Sequence, residues 1–221
     1  MVELLVWLIL VVIAFWAFTR FYLQGEDLSR FDRSIDSSMR SGEPSPQHYG
    51  SIEAISGLLK AGDGNKDRKT ELAHSRTAMD EMGDNADLTG VRLLEVNADG
   101  VSAEWVIAEG AHPDRRILYI HGGAFMMGSP RSHREITTTL SRIAGASVLA
   151  IDYRLTPEHS RIACIEDCQA AYKWLLENGP EGRVGAPDVF YIAGDSAGGN
   201  LTLTTIAWAR DVGLRAVNAA L

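Results

Sequence analysis

The chain has 221 residues, of which 46 % are hydrophobic and 23 % are charged. These are ordinary globular proportions, and they supply enough apolar material for one domain with a sizeable core. The formal net charge of −8 argues against nucleic acid as a partner, because a phosphate backbone attracts a basic surface. Cys164 and Cys168 are the only cysteines, and their spacing suits a buried helix face better than a disulfide framework or a metal site.

The N-terminal segment is strongly apolar. Residues Leu4 to Phe18 are uninterrupted apolar residues, and the stretch continues beyond Arg20, whose long side chain can reach the membrane surface. Residues 2–23 therefore reach the ~20 residues that a bilayer-spanning helix needs. Aromatic residues of the interfacial kind lie near both ends, namely Trp7, Trp16, Phe18, Phe21 and Tyr22.

We therefore expect a membrane anchor at residues 1–23. A cleaved signal peptide is an alternative, although a basic leader and a small-residue cleavage site are missing, and a buried helix is another. No basic residue precedes the apolar run, whereas Arg20, Arg30 and Arg33 follow it. The positive-inside rule then places the remainder of the protein on the cytoplasmic side of a single-pass anchor.

Residues 24–88 have the pattern of a linker followed by a helical segment. Gln24 to Pro46 is polar and rich in turn-forming residues. Two helices are expected after it, one over SIEAISGLLKAG with Ser51 as its N-cap and one over TELAHSRTAMDEMG with Thr70 as its N-cap. Gly83 is expected to end the second helix.

Residues 89–221 have the pattern of an α/β core. VRLLEVNADGVSAEWVIA predicts two strands joined by a turn at Asn97–Gly100. After it, short apolar runs alternate with helical stretches, which predicts a mostly parallel sheet with helices on both faces. Strands are expected in RRILYI, SVLAIDY, DVFYIAG and RAVNAAL, and helices in SHREITTTLSRIAG, CIEDCQAAYKWLLENG and AGGNLTLTTIAWARDVG. Since the last strand pattern is still apolar at Leu221, we expect the chain to be the N-terminal part of a longer protein, cut before the last strands.

The segment Gly194-Asp195-Ser196-Ala197-Gly198 matches the pattern G-x-S-x-G. The pattern alone is weak, but here it follows a predicted buried strand and opens a predicted helix. That context favours Ser196 as a nucleophile on a sharp, strained turn, with glycines at 194 and 198 because side chains there would clash with the turn. The N–H groups at the start of the helix would stabilise a developing oxyanion.

A second motif, HGGAF at residues 121–125, follows another predicted strand directly. Its glycines leave backbone N–H groups accessible, so Gly122 and Gly123 are predicted to form an oxyanion hole together with Ala197. His121 is expected to order this loop by hydrogen bonds. Ligands of such sheets bind at the carboxyl ends of the strands, where both motifs are predicted to lie.

Four ordered segments, HGGAFMMGSPRSHRE, DYRLTPEH, EDCQAAYKWL and GDSAGGNL, resemble the hormone-sensitive-lipase branch of the α/β-hydrolases, the bacterial group IV esterases. The resemblance implies a carboxylic ester hydrolase that acts on an ester or lipid through an acyl-enzyme on Ser196, without a metal or an organic cofactor. It also implies that the N-terminal helices contribute to a cap over the site. The chain departs from the family at Ser160–Ala163, where a proline-aromatic-proline turn is usual, and at Ala124, where glycine is common.

The catalytic acid and base are missing from the expected positions. In this fold the nucleophile precedes the acid and the histidine, yet every histidine of the chain precedes Ser196. Asp211 is the sole later acid, and it lies on the same predicted helix, ~20 Å away. Both groups are therefore expected beyond residue 221, and the chain itself is expected to be inactive. A non-catalytic membrane-tethered binding protein, or an amidase, acyltransferase or lactonase with the same nucleophile, remain alternatives, and no pattern indicates an oligomeric state.

Overall fold

The computed structural model describes residues 2–23, 43–60 and 67–221, together with positions 25, 27 and 29. These residues divide into two compact units, Met1–Ala61 and Gly62–Leu221. The predicted linker therefore lies largely outside the described residues, as do the side chains of Ile55, Leu58 and Leu59.

The described residues of the first unit form two α-helices. Helix α1 spans Val2–Phe18 and continues as a π-helical turn over Thr19–Leu23. The 21 residues Glu3–Leu23 are long and apolar enough to cross a membrane, a property that an N-terminal signal sequence shares. Helix α2 spans Pro46–Lys60, and it begins at a proline because the first helical turn needs no N–H there. Ser51 consequently lies inside the helix, and its prediction as an N-cap is wrong.

The second unit begins with helix α3, Arg68–Met82. Asp67 caps this helix, since its carboxylate accepts hydrogen bonds from the N–H groups of Lys69 at 2.9 Å and Thr70 at 3.0 Å. The predicted cap, Thr70, lies in the first turn and donates its hydroxyl to Asp67 instead. Gly83 ends the helix as predicted and begins a short 3-10 turn, Gly83–Asn85.

A mixed sheet of six strands forms the centre of this unit, in the order β1-β2-β4-β3-β5-β6. The strands span Val91–Ala98 (β1), Val101–Ala108 (β2), His112–Ile120 (β3), Ala146–Asp152 (β4), Val189–Gly194 (β5) and Ala219–Ala220 (β6). Strand β2 pairs antiparallel with β1 and β4, whereas β4, β3, β5 and β6 run parallel. The expected mostly parallel sheet is confirmed, with a two-stranded antiparallel edge. That edge is the predicted hairpin, whose turn consists of Asp99 and Gly100, both with positive φ.

Helices cover both faces of the sheet. They are α4 (Arg134–Ala144), α5 (Arg161–Glu177) and α6 (Ala197–Asp211). Successive strand residues point to opposite faces, so Leu118 and Leu149 pack in the core beneath α5 and α6, while Ile117 and Val148 pack beneath α4. Cys164 and Cys168 lie on the buried face of α5, as predicted.

The register of the two central parallel strands decides where the site lies. Ile120 at the end of β3 is the partner of Gly194 at the end of β5. The loop that follows β3 and the turn that follows β5 therefore leave the sheet side by side, and both predicted motifs meet at this edge.

Candidate active site

Ser196 lies on a sharp turn between β5 and α6. Its backbone adopts φ 50° and ψ −117°, a strained conformation for a residue with a side chain, and the residue is exposed. The flanking glycines are required by close packing: a Cβ on Gly194 would lie 2.6 Å from the carbonyl oxygen of Gly198, and one on Gly198 would lie 1.9 Å from that of Ile120. The strained strand-turn-helix expected from the sequence is therefore present.

The segment between β3 and the 3-10 turn Arg131–His133, here named the glycine loop, comprises residues 121–130. Its residues Gly123, Ala124 and Phe125 have positive φ values of 115°, 55° and 63°. The N–H groups of Met126 and Met127 both donate to the carbonyl oxygen of Gly123, which closes a tight turn. The chain thus reverses here with three successive residues in the left-handed half of φ space, two of which are not glycine.

Asp195 connects the turn at Ser196 to the glycine loop. One carboxylate oxygen accepts hydrogen bonds from the Tyr119 hydroxyl at 2.8 Å and from the Gly122 N–H at 2.9 Å, and Nε2 of His133 lies 3.4 Å from it. Burial opposes ionisation, but the contacts with His133, Tyr119 and Gly122 prevail and hold the pKa of Asp195 well below its ordinary value. The neighbour of Ser196 is therefore a carboxylate that fixes the start of the glycine loop.

This contact corrects the role expected for Gly122. The N–H of Gly122 donates a hydrogen bond to Asp195, so it connects the two motifs and is not a free oxyanion donor. The N–H groups of Gly123 and Ala197, and also that of Ala124, have no acceptor within the described part of the chain. Ala124, which follows the two glycines directly, is not among the donors predicted from the sequence.

His121 is buried and orders the loop, as expected. Its Nδ1 lies 2.7 Å from the carbonyl oxygen of Gly122, an acceptor, so Nδ1 carries the proton. The Tyr153 ring stacks on the imidazole at 4.3 Å, and its hydroxyl donates to the backbone carbonyl of His121 at 2.9 Å. Burial lowers the pKa of His121 to about 4, which keeps the ring neutral near pH 7. Nε2 is buried without a partner among the described residues, so this ring is not placed to accept a proton from a substrate-facing group.

Within the described residues, the Ser196 hydroxyl has no hydrogen-bond partner, and no group of three or more His, Cys, Asp or Glu side chains could hold a metal ion. The edge of the sheet thus combines an exposed hydroxyl on a strained turn with unpaired backbone donors beside it. This arrangement suits a nucleophile that attacks a carbonyl and the groups that stabilise the resulting oxyanion.

Comparison with known proteins agrees with this geometry. A family model described as alpha/beta hydrolase fold matches residues 117–221. An acetyl-hydrolase of Streptomyces hygroscopicus is 40% identical over 148 residues, which cover 66% of this chain and 47% of that protein. The carboxylesterase/phospholipase LipF of Mycobacterium tuberculosis is 46% identical over 108 residues, covering 49% of this chain and 26% of that protein.

Solved structures lead to the same family. An esterase/lipase from an uncultured bacterium superimposes with a TM-score of 0.66 at 35% identity, covering 80% of this chain and 57% of that one. An esterase of the bacterial hormone-sensitive lipase family gives a TM-score of 0.66 at 33% identity, covering 81% and 57%. The chain spans between about a quarter and just over half of the length of these relatives, from 26% to 57%. On these grounds the chain has the α/β-hydrolase fold, and its core is similar to those of bacterial esterases of the hormone-sensitive-lipase type.

Proposed function

We propose that the protein is a serine hydrolase of carboxylic esters, with Ser196 as its nucleophile. The observation that carries the proposal is the exposed Ser196 hydroxyl on a strained turn, next to unpaired N–H groups at the start of α6 and in the glycine loop. The names of the relatives, acetyl-hydrolase and carboxylesterase among them, support an ester or lipid as the substrate.

In the proposed reaction the Ser196 hydroxyl attacks the ester carbonyl. The N–H groups of Gly123, Ala124 and Ala197 donate to the oxyanion, and water later releases the acyl group from Ser196. A histidine oriented by a carboxylate takes the serine proton and returns it to the leaving alcohol. Since His121 is committed to the glycine loop and Ser196 has no histidine partner in the described part of the chain, we place this pair in sequence beyond residue 221.

The test uses the full-length protein and p-nitrophenyl esters of graded acyl length. Ser196→Ala should abolish hydrolysis and labelling by a fluorophosphonate, whereas Ser75→Ala should leave both unchanged because Ser75 is an exposed residue of α3 that bonds only its own helix. Hydrolysis that survives Ser196→Ala would disprove the nucleophile. A p-nitroanilide of the same acyl group separates an esterase from an amidase.

The proposal also predicts the behaviour of residues 1–221 expressed alone. Without the base, turnover should fall by about 10⁶-fold, because the loss of one triad member removes most of the chemistry. An esterase assay of this chain beside the full-length protein measures the ratio. Comparable activity of the two would mean that the base lies within residues 1–221.

We also propose that residues 2–23 are a retained single-pass anchor and that the hydrolase domain faces the cytoplasm. The span Glu3–Leu23 supports the anchor by its length and composition, and Arg20 near its end supports the orientation. Carbonate extraction, intact-mass measurement and protease protection of membrane vesicles test the three parts. A mature protein that lacks these residues would identify them as a signal sequence instead.

A further inference from the structure

The glycine loop needs support from outside itself. Ala124 and Phe125 hold left-handed φ values of 55° and 63°, and such conformations persist only where surrounding contacts fix them. Asp195 fixes the start of the loop at Gly122. Further contacts of the loop come from the segment after β4, through Tyr153, Thr156 and Arg161, and from α3, a helix that lies before the sheet in the chain.

Arg76 of α3 joins two loops at the edge of the site. Its Nε donates to the carbonyl oxygen of Met126 at 2.7 Å, and its Nη2 donates to that of Thr156 at 3.1 Å. The same guanidinium binds both carboxylate oxygens of Glu158, at 2.9 and 2.8 Å. Thr156 in turn donates its N–H and its hydroxyl to the carbonyl oxygen of Phe125, at 2.8 and 3.0 Å. Arg76 and Thr156 thus secure two neighbouring carbonyls of the glycine loop.

Two further polar contacts connect α3 and its C-terminal end to the glycine loop and the 3-10 turn after it. Asp80 accepts a hydrogen bond from the Ser129 hydroxyl, and Asp84, just past the helix end, binds Arg131 through two hydrogen bonds of 2.9 and 2.6 Å. Arg76 and Asp80 are four residues apart in α3 and therefore lie on one face of it, and Asp84 follows in the 3-10 turn after the helix. A Cβ on Gly83 would lie 1.7 Å from the carbonyl oxygen of Arg131, which shows how closely the two segments approach.

These polar contacts matter because apolar burial holds this helix only weakly, with Leu72, Ala78 and Met79 half-buried. No residue of α3 is buried. The helix is therefore positioned mainly by its polar contacts with the glycine loop and its neighbours, and the same contacts position the loop.

We propose that α3 braces the glycine loop and that Arg76 is a positioning residue for acyl transfer. The proposal rests on the ester hydrolase function proposed above. Arg76 does not touch the substrate; it holds Met126 and, through Thr156, Phe125, and thereby sets the direction of the N–H groups of Gly123 and Ala124. Loss of the guanidinium lets the loop relax from its strained conformation, so the oxyanion loses well-directed donors while ground-state binding persists.

The test replaces Arg76 in the full-length protein with residues of similar length. Arg76→Met removes every hydrogen-bond donor of the side chain. Arg76→Lys keeps the positive charge beside Glu158, but its ammonium group cannot donate to all the partners that the planar guanidinium reaches. We expect kcat per titrated active site to fall about tenfold or more in Arg76→Met, with KM within about twofold and an intermediate kcat in Arg76→Lys. Arg92→Met is the matched control, because Arg92 on β1 makes an exposed ion pair with Glu181 and contacts neither loop.

Hydrogen exchange followed by mass spectrometry gives a readout that does not depend on activity. Peptides covering residues 121–133 should exchange at least about tenfold faster in Arg76→Met than in the wild type, while peptides of β4 and α5 remain unchanged. Unchanged exchange of the loop would overturn the brace. Faster exchange of the loop with an unchanged kcat would overturn the positioning role. Equally faster exchange in all peptides of both Arg76 variants would overturn it too, because it would indicate a general loss of stability. A wild-type protein without esterase activity would refute the proposed function alone, since the exchange experiment still decides whether α3 braces the loop.

Discussion

Two adjacent glycines at the start of α6 offer a sharp test of the packing around Ser196. A Cβ on Gly198 would lie 1.9 Å from the carbonyl oxygen of Ile120 and 2.6 Å from that of His121. Both neighbours are backbone atoms of the strand end, so no side chain can rotate away. On Gly199 the nearest atom, the carbonyl oxygen of Gly194, would be 3.1 Å away, a contact that small shifts can relieve. The same substitution should therefore destabilise the protein at Gly198 and be tolerated at Gly199.

The magnitude follows from the overlap. Ordinary contact begins at 3.4 Å, so Gly198→Ala requires α6 and the end of β3 to separate by about 1.5 Å. Alanine stabilises a helix by about 1 kcal/mol relative to glycine at either position, but overpacking costs about 1–3 kcal/mol or more. We expect Gly198→Ala to lower the free energy of unfolding by about 2 kcal/mol and Gly199→Ala to leave it within about 1 kcal/mol of the wild type. The displacement also moves Ser196 from the glycine loop, and a misplacement of this size costs about 10²-fold in kcat.

Urea unfolding of both variants in the same detergent measures the first effect, and p-nitrophenyl ester hydrolysis by the full-length protein measures the second. Equal m-values would show that the comparison is between similar unfolding reactions. If Gly198→Ala were as stable and as active as Gly199→Ala, the reasoning from backbone overlap would be refuted.

Two further predictions concern polar contacts. Asp195→Asn should lower the free energy of unfolding by about 1 kcal/mol at pH 7, because the charge-assisted hydrogen bonds of a carboxylate that solvent partly screens become neutral ones. Since the pKa of Asp195 is depressed in the folded state, its contribution is complete above the unfolded pKa of about 3.9 and is lost as pH falls through the folded pKa. The difference between variant and wild type in urea midpoint should thus narrow below about pH 4; a constant difference would contradict the assignment. Ser141→Ala should cost about 1–3 kcal/mol, because the buried hydroxyl accepts from the Ala108 N–H at 2.9 Å and donates to the Ala146 carbonyl at 2.7 Å; an unchanged urea midpoint would show that water replaces it.

The sequence predicted the elements of the core well because their signals are local. Each signal is contained in a short stretch of the chain. The signals are apolar runs of strand length, a hairpin turn at Asp99–Gly100 and helix-length stretches between the runs. The two glycine motifs were also placed at the correct edge, since both follow strands that the sheet brings together at Ile120 and Gly194. Helix starts were less certain, because Asp67 and Thr70 both have capping side chains and only the backbone geometry decides between them.

The contacts that organise the site were harder to predict because they involve backbone groups. The N–H of Gly122 can point to an oxyanion or to Asp195, and the sequence motif is the same in both cases. Arg76 binds the carbonyl oxygens of Met126 and Thr156, which any residue would provide at those positions. The spacing of four between Arg76, Asp80 and Asp84 is visible in the sequence. Solvent-exposed helix faces have similarly spaced charges, so the spacing alone does not predict contacts with the glycine loop.

The two supports of the glycine loop act on one short segment, and this has a measurable consequence. Asp195 holds Gly122, Arg76 holds Met126, and the N–H groups proposed to bind the oxyanion lie between these two points. Once either support is lost, the segment between them is already free to turn, so removing the second should have little further effect on kcat. The combined variant Asp195→Asn with Arg76→Met should therefore lower kcat by less than the product of the two single effects. Multiplicative effects on kcat would mean that the two residues act on different elements of the site.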